Sequence, residues 1–145
     1  MLRALLLLVS LAACASVPPP QVSSQLDAPV EVVIRQVMTE RIFASALQIP
    51  VCFDKPEIEV TGDVVRRLHK SDPRVRPCVA KDLRGANAGR LVYVHVRSFS
   101  KPAGDTYVIH AGYWCGLLCA DDTEFTVEKR GGEWTVARAV FQWIS

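Results

Sequence analysis

Leu91-Val92-Tyr93-Val94-His95-Val96-Arg97-Ser98-Phe99 carries valine at 92, 94 and 96, and three later runs share this period of two. They are Asp105 to Cys115, Thr123 to Lys129 and Trp134 to Trp143. All are rich in Val, Tyr, Phe and Trp, residues that suit a pleated, half-buried surface. Lys101-Pro102-Ala103-Gly104 separates the first pair and Arg130-Gly131-Gly132-Glu133 the last, the latter a strong hairpin signal. Consecutive hairpins predict an antiparallel meander of four strands, which can keep one face wet.

The other face needs a cover. From Pro29 to Leu47, Val30, Val33, Ile34, Val37, Met38 and Ile42 recur at spacings of three and four. Such a stripe predicts one long amphipathic helix. Asp27-Ala28-Pro29 supplies a capping side chain and an early proline for its start, and Ile49-Pro50 ends it. Val51-Cys52-Phe53 reads as a short strand, and Thr61-Gly62-Asp63 introduces a shorter helix around Val64 to His69. Ser71 to Pro77 reads as irregular and Asp82 to Arg90 as a loop. The expected fold is therefore α+β over residues 27–145: a long N-terminal helix on a curved four-stranded antiparallel meander.

The chain has 145 residues, half of them hydrophobic and 22% charged, with a net charge of +2. This is the composition of one globular domain and excludes a coiled coil, a fibre or a mostly disordered chain. No basic block neutralises several phosphates together, so nucleic acid is not an expected partner.

Met1-Leu2-Arg3 opens the chain with a positive charge, and Ala4 to Ala13 follow without any charge. Ten helical residues reach about 15 Å, half a hydrocarbon core, so residues 1–13 read as a signal peptide rather than a permanent span. Leu11-Ala12-Ala13-Cys14 resembles the lipobox of bacterial lipoprotein precursors, a branched residue and two small ones before an obligatory cysteine. The resemblance implies that a diacylglyceryl group is joined to the Cys14 sulfur. A peptidase then cuts before Cys14, and fatty chains of the palmitate kind anchor the product. Two or three chains hold stably where one holds marginally. By the habit of that family, Ala15 after the cysteine implies an outer-membrane anchor facing the periplasm. Residues 14–26 then form the lipidated end and a Pro/Ser-rich tether, with Pro18-Pro19-Pro20 stiffening it.

Without Cys14, Cys52, Cys78, Cys115 and Cys119 remain, an even number suited to an oxidising compartment. Three pairings exist; sequence proximity favours Cys52–Cys78 with Cys115–Cys119. A redox role for Cys115 and Cys119 fits less well, because three residues intervene in a strand context rather than two at a helix start. A four-cysteine zinc site lacks any close Cys-x-x-Cys pair.

Candidate chemistry is sparse. If Ser100 pairs with Asp105 across the first hairpin, His95 stands directly opposite His110; a slip of two residues keeps both on that face but no longer opposed. These are weak metal candidates, since a third ligand is not evident. Asp121-Asp122-Thr123-Glu124 clusters carboxylates whose alternation sends Asp122 and Glu124 to one face and Asp121 to the other, as expected of a solvated edge. Arg66, Arg67, Lys70, Arg74 and Arg76 form the densest positive patch, suited to lipid headgroups or an acidic partner. Trp114, Trp134, Trp143, Phe125 and Phe141 read mostly as core. Trp143-Ile144 can instead present an apolar patch to a partner. No nucleophile elbow, phosphate loop or dinucleotide fingerprint occurs, so no catalytic residue and no cofactor is assigned.

Helix-then-strands order looks like the cystatin-like or NTF2-like cone. Gly112 to Cys119 and Glu128 to Val136 resemble the C-terminal half of small exported bacterial proteins, a likeness that brings no activity. The functional expectation is a membrane-anchored lipoprotein whose non-catalytic periplasmic domain contacts a protein, the cell wall or a small molecule. The alternative is an NTF2-like enzyme or ligand pocket between helix and sheet.

Overall fold

A computed structural model describes residues 24–42, 49–53, 58, 60–79, 91–115 and 119–144. Cys14, the signal segment, the tether up to residue 23, residues 43–47, the loop at 82–90 and Gly116 lie outside the described residues. The expected fold requires correction. Instead of a long helix on a four-stranded meander, the chain forms a six-stranded mixed sheet with two short helices. In chain order the elements are α1 (Ser24–Val37), a π turn (Met38–Ile42), β1 (Val51–Phe53), α2 (Gly62–Ser71), β2 (Val75–Pro77), β3 (Val92–Ala103), β4 (Thr106–Trp114), β5 (Ala120–Arg130) and β6 (Glu133–Ile144). The sheet order is β2-β1-β3-β4-β5-β6.

The mixed character comes from β1, which pairs in parallel with both β2 and β3. A parallel neighbour needs a crossover, and α2 supplies it between β1 and β2. The stretch expected to be irregular thus contains an edge strand. Three residues ending in proline are too short to display alternation, so local pattern could not reveal β2.

Helix α1 begins at Ser24, upstream of the expected cap at Asp27, and Pro29 lies inside it. Leu26 explains the extension. It precedes Val30 by four residues and Val33 by seven, so it completes the apolar stripe and is buried with it. Val33, Ile34, Val94, Ile109 and Val127 are fully buried in a shared core, which closes the α1-facing side of the sheet with apolar side chains. Phe125 belongs to this core, and Trp134 packs at its margin against Tyr107, ring centroids 5.3 Å apart.

Three polar ties at four-residue spacing join α1 to α2. Thr61 donates to Asp27 (3.0 Å), Arg67 to Glu31 (2.5 Å) and Arg35 to Ser71 (2.7 Å). Thr61 is also the N-cap of α2, accepting from the Val64 amide. The ladder order makes the helices run in the same direction.

Both disulfides are formed, Cys52–Cys78 and Cys115–Cys119. The first joins β1 to the residue just past β2. The second closes the β4–β5 connection, where the Cys115 amide also donates to the Cys119 carbonyl at 2.7 Å.

Candidate functional site

The face of the sheet turned away from α1 gathers the polar side chains. Its rungs follow the strand register: Tyr93, Trp114 and Ala120, then His95, Gly112 and Asp122, then Ser98, His110 and Glu124. His95 is therefore opposite Gly112, and His110 opposite Ser98. This corrects the direct opposition of the two histidines. The reason lies in the turn: β3 runs on to Ala103 and the chain reverses at Gly104-Asp105, later than Lys101-Pro102 suggested, so the pairing slips by two. Arg97 then bulges out as an extra residue between Val96 and Ser98.

The slip gives each histidine its own carboxylate. His95 Nε2 lies 3.9 Å from Asp122 Oδ1, reaching over Gly112, a distance of ion pairing rather than hydrogen bonding. Arg97 Nη1 holds the other Asp122 oxygen at 3.2 Å. One rung along, His110 Nε2 lies 3.4 Å from Glu124. Among the described residues no group of three His, Cys, Asp or Glu side chains converges as a metal site would require.

The carboxylates also depart from expectation. Asp122 has a side-chain exposure of 5%, and Asp121 and Thr123 are buried as well. Thr123 donates to Asp121 at 2.8 Å on the α1 side. The Arg97 guanidinium supplies the compensating charge that lets Asp122 leave water. Among the described residues, none donates a hydrogen bond to Asp122 Oδ1.

Next to this rung stands Trp114, which was expected in the core but is 37% exposed. Tyr93 backs it, ring centroids 5.2 Å apart. Behind Tyr93 lies a second small apolar cluster of Cys52, Leu91 and Cys78. The bridge between the cysteines thus stiffens the floor on which Tyr93 and Trp114 sit. Exposed aromatic, half-exposed Arg97, His110 and Glu124 make one continuous amphipathic surface, able to stack on a flat ligand and exchange hydrogen bonds with it.

The positive patch is largely neutralised. Arg66 pairs with Asp63, Arg67 with Glu31 and Arg74 with Asp72, while Arg76 donates to the Pro77 carbonyl. The hydrogen bonds from Arg74 hold the Asp72 carboxyl below its ordinary range despite burial, and Asp72 in turn holds Arg74 protonated. For Glu31, burial raises the pKa, but the bonds from Arg67 and Arg35 together outweigh it and the net shift is downward. Beside this network a groove of about 340 Å³ runs between α2 and β2, lined by Val65, Arg66, His69, Val75, Arg76 and Pro77.

No family model, curated protein or solved structure matches the chain.

Proposed function

We propose that this chain is a bacterial envelope lipoprotein, anchored through Cys14 to the outer membrane and acting in the periplasm by contact rather than catalysis. One observation carries the reading. Of five cysteines, four are used in two bridges, which leaves the lipobox Cys14 as the odd thiol. Disulfides persist in an oxidising compartment, which supports export. Among the described residues no helix is long and apolar enough to cross a membrane; the anchor in this reading is the lipid on Cys14.

The contact surface in this reading is the outer sheet face around Trp114, Arg97, His110 and Glu124. Its partner is a protein, a cell-wall glycan or a small molecule with a flat apolar face and polar edges. The α1-facing side is filled by Val33, Ile34, Ile109 and Val127, which supports binding on the outer face over a pocket between helix and sheet.

Intact-mass measurement of the protein from a bacterial envelope tests the anchor. The expected terminus is Cys14 carrying a diacylglyceryl group, absent in Cys14→Ser. A terminus at Met1 with no fatty adduct would refute it. For the surface, Trp114→Ala is expected to lose the bound envelope component on cross-linking while still folding, with a lower melting midpoint from the lost Tyr93 contact. Retention of that component would move the contact elsewhere.

A further inference from the structure

We propose that β6 pairs antiparallel with β6 of a second copy about a two-fold axis at Ala139, joining two six-stranded sheets edge to edge. The two edges of the sheet are treated differently. At β2 every group of Val75 that turns outward is already satisfied. Its amide donates to the Asp72 carbonyl at 3.0 Å, and its carbonyl accepts from His69 Nδ1 at 2.7 Å. Pro77 has no amide to offer. Those are the means by which proteins close an edge.

Strand β6 is the opposite case. It runs for twelve residues, Glu133–Ile144, and none of the described residues pairs with its outer side. Its charges are Glu133 at the end and Arg138 in the middle. Two bulges, at Ala137 and Gln142, are its other blunting features, and they leave Arg138–Phe141 regular between them. Ala137, Arg138 and Ala139 are exposed.

Symmetry selects the register. Directly opposed residues share a sheet face, and a two-fold axis normal to the sheet preserves faces, so the axis must pass through a residue paired with its own copy. An axis at Arg138 would oppose two guanidiniums, which is destabilising. Axes at Val140 or Phe141 shorten the overlap. An axis at Ala139 overlaps the strands from Trp134 to Ile144 and places a small residue at the closest approach. Arg138 then lies opposite Val140 of the second copy. Phe141, 41% exposed, lands beside Val136 and Ala137 of that copy.

The register makes Ala139→Cys the decisive variant. Opposed residues in an antiparallel pair have Cα atoms about 4.5–5.5 Å apart, within disulfide reach, while diagonal neighbours are about 7–8 Å apart and beyond it. Expressed in the native envelope, Ala139→Cys is expected to give a covalent dimer on a non-reducing gel, and Arg138→Cys is not. Sedimentation of the processed chain in mild detergent provides the second measurement. The wild type is expected to dimerise, and Ala139→Lys to weaken dimerisation about tenfold or more while the chain stays folded by circular dichroism. A wild type that stays monomeric at its highest soluble concentration overturns the proposal. So does equal cross-linking at 138 and 139, or a dimer indifferent to Ala139→Lys.

Discussion

The carbonyl oxygen of Asp121 occupies the place where a side chain on residue 112 would begin. A Cβ built on Gly112 would lie 1.9 Å from it, with the Asp121 carbonyl carbon and the Asp122 Cα close behind. All three are backbone atoms, so no side-chain rotation relieves the clash. Gly112→Ala is therefore expected to cost on the order of 3 kcal/mol, and β4 and β5 must part to admit it. Chemical denaturation should read this as a lower midpoint with an unchanged slope. A neutral result would mean the strands do not approach so closely. Parting the strands also separates His95 from Asp122, so the same variant links fold to site. Both histidines and both carboxylates of this face are visible in the sequence, and so is the sorting of Asp122 and Glu124 to one side. What local pattern does not contain is the slip of two residues or the bulge that brings Arg97 to Asp122. Local pattern makes two adjacent aspartates read as solvated; in the fold both are buried, Asp122 against Arg97 and Asp121 against Thr123.

Between elements, the bond from Arg67 to Glu31 is the central tie of the helix pair, and its partners are 36 residues apart. They are separated in the unfolded chain, so the lowered Glu31 pKa is a contribution to stability. The sign follows from the direction of the shift. A carboxyl whose folded pKa lies below its unfolded value of about 4.3 stabilises above that value, and loses the contribution as pH falls through the folded one. Glu31→Gln is expected to cost about 1 kcal/mol at neutral pH, a modest figure because Arg67 is half-exposed and solvent screens it. Denaturation of both proteins between neutral pH and strong acid should show the difference shrink below the ordinary carboxylate range. A constant gap would assign the effect to packing. The apolar stripe of α1 is plain in the sequence. Its true start is not, because Leu26 sits before a proline that reads as a beginning. The polar ladder needs α2 in place before Asp27, Glu31 and Arg35 acquire a purpose.

Across the whole molecule, the two bridges differ in what they constrain. Cys52–Cys78 spans 26 residues and encloses β1, α2 and β2, the parallel part of the sheet. Cys115–Cys119 spans four residues within one β connection. Sequence proximity alone favours this pairing. It says nothing of the parallel edge that the longer bridge secures, since three-residue strands owe their existence to neighbours remote in sequence. Chain entropy sets the scale: closing the longer loop restricts the unfolded chain by about 3.5 kcal/mol, the shorter by about 2. Strand pairing holds the parallel edge less firmly than the meander. β1 and β2 are three residues each, whereas β3 to β6 bond along nine or more. Replacing Cys52 and Cys78 by serine also leaves two hydroxyls beside Leu91 and Tyr93, in a site where Cys52 is fully buried. The double variant is therefore expected to lose at least the larger figure and to unfold β1, α2 and β2 ahead of the meander. Hydrogen exchange is the measurement that separates these outcomes. Amides of Val51 to Phe53 and Val65 to Leu68 should lose protection first, while those of Ile109 and Phe125 keep theirs. The Cys115/Cys119 double variant should lower protection evenly. If removing the longer bridge also lowers all amides together, the parallel edge and the meander fold as one cooperative unit, and the long bridge stabilises the whole sheet rather than its edge.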